Sequence, residues 1–91
     1  MAIANGVVNL DEPGLITALQ DARKKLDSTG GEAILDLTSV RRVNASAIRA
    51  LEEFVHVAEE KSAKVVLRGT NVDVYKVLKL VKLTRRVSFV N

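Results

Sequence analysis

The spacing of apolar positions changes once in the middle of the chain, and the elements on either side follow from that change. Residues 33–37, Ala-Ile-Leu-Asp-Leu, form a nearly unbroken apolar run with one Asp, the pattern of a strand covered on both faces. Polar Thr38, Ser39, Arg41 and Arg42 end it. From Asn44 onward the period becomes helical, with Ala47, Ile48, Leu51, Phe54, Val55 and Ala58 on one stripe. The segment therefore predicts strand, tight loop and helix, with Asn44 as N-cap.

Three further segments extend this pattern. Val7 to Leu10 predicts a first strand, and Asn5-Gly6 predicts a hairpin turn if Ala2 to Ala4 pairs back on it. Asp11, Glu12 and Pro13 read as a helix start, a capping carboxylate followed by an acid and a proline in the first turn. Leu15, Leu19, Ala22 and Leu26 then recur at helical spacing, Arg23, Lys24 and Lys25 suit the carboxyl end of that helix, and Ser28 to Gly31 stops it. Beyond the central helix, Lys64 to Arg68 predicts a second buried strand, which makes strand, helix and strand a right-handed parallel βαβ crossover. Gly69 turns the chain, and Thr70 followed by Asp73 has the form of a capping box. Val74, Val77, Leu78 and Val81 form the next stripe, with Lys76, Lys79 and Lys82 largely off it. Val87, Phe89 and Val90 close the pattern as a terminal strand or a short apolar segment tucked against the core. The fold class is thus α/β, a mixed sheet of four to five strands with helices packed on it and a βαβ crossover at its centre.

At about 100° per residue, Ser46 falls on the flank of the central helix that carries Ala50, Glu53 and Val57, away from the apolar stripe. It sits in the first turn, where backbone N–H groups lack intrahelical acceptors and would receive an added phosphate. Arg49 lies one turn on, and Arg41 and Arg42 precede the helix, so cations surround the position. A serine at a helix start more often only satisfies backbone donors, so position alone does not assign it a role.

Composition narrows the possibilities. Ninety-one residues, 47% hydrophobic and 27% charged, suit one globular domain, residues 1–91. Aromatics at 3% leave an aliphatic core and no array of rings for stacking bases. The absence of cysteine excludes disulfides, thiolate metal sites and a cysteine nucleophile. No apolar run approaches the roughly 20 residues of a membrane span, and the amino end lacks the basic and apolar regions of a secretion signal, so no membrane insertion and a cytoplasmic location are expected. Residues 64–91 hold seven Lys/Arg against one Asp, whereas residues 1–63 hold seven against ten acids. Such a basic block attracts acidic protein, nucleic acid or anionic lipid, but a solvated helix face is the commoner origin, and no groove-reading motif argues for nucleic acid.

Catalytic constellations are missing. His56, the one histidine, projects among Glu52, Glu53, Glu59 and Glu60, an arrangement more typical of a solvated helix face than of a metal site. Asp36 reads as a strand-end polar group, so no Ser/His/Asp set forms. Gly30-Gly31 matches neither nucleotide-binding fingerprint. The chain is expected to be no enzyme, with no cofactor and no metal.

The strand Ile-Leu-Asp-Leu-Thr-Ser-Val, the loop Arg-Arg-Val-Asn and the helix start Ala-Ser-Ala-Ile-Arg-Ala-Leu resemble the central motif of the STAS family, the anti-sigma-factor antagonist domains. There an apolar strand leads to a loop ending in Asp-Ser-Ser/Thr-Gly-Leu. By that resemblance Asn44 stands at the Asp, Ala45 at the first Ser, Ser46 at the phosphorylated Ser or Thr, Ala47 at the Gly and Ile48 at the Leu, and element order matches from about Leu15 onward. The resemblance implies a STAS-like single domain in bacterial signalling and transcription regulation. Its partner would be a serine kinase that doubles as an anti-sigma factor, or a phosphatase. Ser46 would be the phosphorylated residue, and Arg42, Asn44, Ala45, Ala47 and Arg49 would join Ala50, Glu53 and Val57 in the docking surface. A homodimer is left open. A second reading is a STAS interaction subunit of a transporter or signalling assembly that is never phosphorylated, which the change to Asn44 and Ala47 favours. Nucleic-acid binding ranks third.

Overall fold

The computed structural model describes residues 7–26 and 31–90. Strand β1 (Val7–Asp11) leads to helix α1 (Leu15–Lys24), strand β2 (Glu32–Ser39), helix α2 (Ala45–Glu60), strand β3 (Lys64–Arg68), helix α3 (Val72–Leu80), a 3-10 turn at Leu83–Arg85 and strand β4 (Ser88–Val90). The strands lie side by side in chain order, and every neighbouring pair is parallel. A mixed sheet was expected from the sequence; its antiparallel member, the hairpin at Asn5-Gly6, lies outside the described residues.

An order that never reverses decides where the helices go. Each crossover is right-handed by the twist of the strands it joins, and three such crossovers advancing in one direction put every helix on the same face. The core bears this out. Leu35 and Leu37 of β2, and Val65 and Leu67 of β3, share one buried cluster with Leu15 and Leu19 of α1, Leu51, Phe54 and Val55 of α2, and Val74 and Leu78 of α3. Val66, which points the other way, is buried outside that cluster. α2 therefore lies in the middle of the helical layer, flanked by α1 on the β1 side and α3 on the β4 side. Among the described strands there is no reversal of order, and so no switch-point crevice of the kind that holds nucleotides in doubly wound folds.

Three local expectations are corrected. Helix α1 begins at Leu15 with Gly14 at its N-cap and no side-chain cap; Asp11 ends β1 instead, and its Oδ1 accepts the Gly14 N–H at 2.8 Å. The Asp-Glu-Pro signal makes a turn rather than a first helical turn because β1 runs on to Asp11. At α3 the cap is Asn71, whose Oδ1 accepts the Val74 N–H at 2.8 Å, and not Thr70, whose hydroxyl is buried with no partner among the described residues. Asp36 lies inside β2, not at its end, directly beside Arg68 of β3.

That pair is a forked ion pair, with Arg68 Nε and Nη2 at 3.0 and 2.7 Å from Asp36 Oδ2. Asp36 Oδ1 accepts the Thr38 N–H at 2.9 Å. Hydrogen bonds from the Thr38 side chain and backbone, followed by that from Arg68, hold the Asp36 carboxyl down at about 2. On the far side of the layer, Arg86 reaches Glu59 of α2 at 2.6 and 3.0 Å and tethers the segment before β4.

Candidate functional site

Helix α2 presents its first turn at the carboxyl end of β2, and the connecting loop, residues 40–44, is fixed from three directions. Asn44 is extended, and its Oδ1 accepts the Ala47 N–H at 2.8 Å while its carbonyl accepts the Ile48 N–H at 3.0 Å. Glu12, in the turn after β1, accepts the N–H groups of Arg41 and Arg42 on one carboxylate oxygen, at 2.8 and 3.3 Å. Asn71 donates Nδ2 to the carbonyls of Val40 and Arg41, both at 3.2 Å, with the same side chain that caps α3. Val40, buried beneath them, anchors the loop in the core. The pivot of the site is thus built by residues from the β1–α1 and β3–α3 connections, and it holds α2 at a set angle.

On this frame the sequence-predicted positions separate by depth. Asn44, Ala45, Ser46, Arg42 and Arg49 are exposed. The Ser46 hydroxyl has no hydrogen-bond partner among the described residues, and no acidic residue occupies the first turn of α2. Ala47 belongs to the core instead, buried with Ile48, so its methyl is unavailable to a partner, a correction to its place in the predicted docking surface. Ala50 and Val57 are half-buried and pack against the core edge, which leaves each only part of its side chain to offer. Glu53 is exposed and reaches Arg23 of α1 at 3.6 Å.

Ser46 lies on the wall of a groove of about 220 Å³ between α1 and α2, whose rim also carries Ile16, Gln20, Arg23, Arg49 and Glu53. A smaller hollow on the other side of the helix start is lined by Glu12, Ile16, Arg42 and Asn44. Ile16 is exposed between the two and offers an apolar surface that the helical stripe of Leu15, Leu19, Ala22 and Leu26 does not include. With Arg23 engaged by Glu53, Arg49 and Arg42 are the cations on this face with no acidic partner among the described residues. His56 projects farther along α2, its Nε2 3.5 Å from Glu60, and no group of three metal-ligating side chains occurs among the described residues.

Glu12 and Asn71 were missed as site residues. Glu12 was absorbed into a helix-start signal. Asn71 was overlooked beside Thr70, although Asn is the stronger N-cap residue and offers a second polar arm.

The STAS domain family model matches residues 7–91. The chain belongs to the STAS family. Among solved structures it is similar to a crystal structure from Thermotoga maritima described as a candidate anti-sigma factor antagonist, at 16% identity and a TM-score of 0.77, covering 100% of this chain and 83% of that one. It is also similar to the NMR structure of the protein TM1081, at 15% identity and a TM-score of 0.78, covering 100% of this chain and 78% of that one. No curated protein matches the sequence. At such identities the likeness is one of fold, and it extends over all the elements described above. In this STAS domain Asn44 caps the first turn of α2, in which Ser46 faces solvent. No helix among the described residues is long and apolar enough to cross a membrane.

Proposed function

We propose that this STAS domain is a non-catalytic cytoplasmic regulator that docks a protein partner on the first turn of α2, in the manner of an anti-sigma-factor antagonist. The partner is a serine kinase that doubles as an anti-sigma factor, and phosphorylation of Ser46 switches the contact off. The observation that carries this reading is the placement of Ser46, an exposed hydroxyl with no partner among the described residues, in the first turn of a helix whose start is clamped by Glu12 and Asn71. Arg42, Asn44, Ala45 and Arg49 surround it, while Ile16, Ala50 and Val57 supply apolar contact. A phosphoryl group on Ser46 meets unfilled N–H groups of the first turn and the Arg49 guanidinium, so the fold tolerates it. The same dianion in the docking face repels the partner and is costly to desolvate.

The opposing reading, a STAS interaction subunit that is never phosphorylated, draws on Asn44: its side-chain oxygen is already committed to the Ala47 N–H, where the family pattern places an acid. Incubation with the cognate kinase and ATP decides between them. One phosphate per chain, absent from Ser46→Ala, is the result expected. No incorporation, with partner binding intact, establishes the second reading instead.

A further inference from the structure

Large apolar side chains exposed to solvent are concentrated at α3, at the far side of the helical layer from the α1–α2 groove. Leu80 is 81% exposed and Val72 68%, with Tyr75 and Val81 also exposed. At about 100° per residue, Tyr75, Lys79, Val72, Lys76, Leu80 and the exposed Asp73 follow one another around the outward arc, opposite the buried Val74 and Leu78, so that with Lys82 the arc carries three cations against one acid. Lys82 extends the arc from a left-handed backbone position, φ 63°, just past the end of the helix. Lys76, Lys79 and Lys82 are exposed, and none has an acidic partner among the described residues. By contrast Arg68 and Arg86, in the same basic third of the chain, are both engaged by carboxylates.

We propose that this outward arc of α3 seats an anionic phospholipid surface. Charge complementarity selects the occupant. Every apolar side chain on the arc has a lysine beside it, so the apolar groups enter the headgroup layer while flexible ammonium stems reach lipid phosphates. Tyr75, held edge-on to Phe89 at 5.1 Å between ring centres, has the amphipathic form favoured at that boundary. A protein partner fits the arc less well. Protein interfaces deplete lysine and favour arginine, and neither hollow beside Ser46 draws a residue from α3. The inference is independent of the switch at Ser46, because α2 separates the two surfaces.

The test is co-sedimentation of the purified domain with vesicles of phosphatidylcholine, with and without phosphatidylglycerol, at low and high salt. Binding is expected only to the anionic vesicles and falls with salt. Replacing Lys76, Lys79 and Lys82 together by Gln lowers affinity by about a hundredfold, at roughly fivefold for each cation near an anionic surface. Leu80→Gln lowers it by about tenfold through lost apolar burial, and Ser46→Asp leaves it unchanged. Both sets of changes are at exposed positions, so melting temperatures matching the parent show that the loss is one of binding. No sedimentation with anionic vesicles at low salt overturns the proposal, as does sedimentation indifferent to Leu80→Gln. Binding to an acidic polypeptide in place of vesicles assigns the arc to a protein partner.

Discussion

Asn71 stabilises two elements at once, and its replacement separates the two contributions. In Asn71→Ala the Val74 N–H loses its cap, a change that costs about 1 kcal/mol. The Nδ2 donor shared between the Val40 and Arg41 carbonyls is also lost; at 3.2 Å each these are long contacts that share one amide group, part-buried at Val40 and exposed at Arg41. They sit at the low end of the net value for a hydrogen bond, about 0.5 kcal/mol together. The total, about 1.5 kcal/mol, corresponds to a fall in melting temperature of roughly 6–12 °C for a domain of this size. Asn71→Asp keeps the acceptor that caps α3 but cannot donate, and it turns a carboxylate toward two carbonyl oxygens. It therefore keeps the cap, loses the loop tie and adds a repulsion that turning the carboxylate to solvent relieves, so it is less stable than the parent and more stable than Ala. Urea unfolding at neutral pH measures all three, with an unchanged slope as the sign of unaltered native and unfolded states. Partner affinity, or the rate of Ser46 phosphorylation, should fall in both variants because the loop that aims α2 is slackened in both. An Ala variant within about 0.3 kcal/mol of the parent, or an Asp variant as stable as the parent, refutes the two-armed role.

Three further outcomes follow from the same structure. Because the Asp36 carboxyl is held at about 2 in the fold, below its ordinary 3.8, its contribution is complete above about pH 4 and is lost as pH falls toward 2. Asp36→Asn should thus be less stable by up to about 2 kcal/mol at neutral pH, the free-energy equivalent of the shift. The gap to the parent should close by pH 2 in acid-dependent urea titrations, and a constant gap across that range contradicts the assignment. Gly69→Ala combines a left-handed backbone, φ 70°, with a new methyl that meets the Thr38 side chain; a loss of roughly 1–3 kcal/mol is expected in thermal melts, and a neutral effect excludes that contact. Ser46→Asp should weaken partner binding in calorimetric titration and leave the melting temperature within a degree or two, since an acid in the first turn is tolerated; equal affinity of both forms counts against the switch.

What the sequence made legible was local. The stripe from Ala47 to Ala58, the cap at Asn44 and the exposed flank at Ser46 each depend on residues within a turn or two of one another, and periodicity reads such relations directly. The two central strands, β2 and β3, were equally plain, because Val-, Leu- and Ile-rich runs bounded by charges have few alternatives in a parallel sheet, whereas the short edge strands β1 and β4 carry too few apolar positions to stand out. The clamp on the loop before α2 was not legible. Glu12 acts on backbone 29 and 30 residues away, and Asn71 on backbone 31 and 30 residues away, separations at which side-chain type says nothing about who meets whom. The misread helix start at Asp11 has the same origin: a sound local signal gave way to a longer β1 and to a distant demand on Glu12. Asp36 was misjudged because its partner, Arg68, stands beside it only once β2 and β3 are paired.

Chain order and spatial order coincide in this sheet, and that bears on how the molecule is made. Each strand emerging from the ribosome finds its neighbour already synthesised and waiting at the growing edge, so assembly can advance as a zipper with no strand held in reserve for a later insertion. The loop that aims α2 is the exception. One of its two clamping side chains, Asn71, follows β3 in the chain, so the surface bearing Ser46 reaches its final pose only after residue 71 has left the ribosome, and a nascent chain that stops short of it cannot engage a partner in that pose.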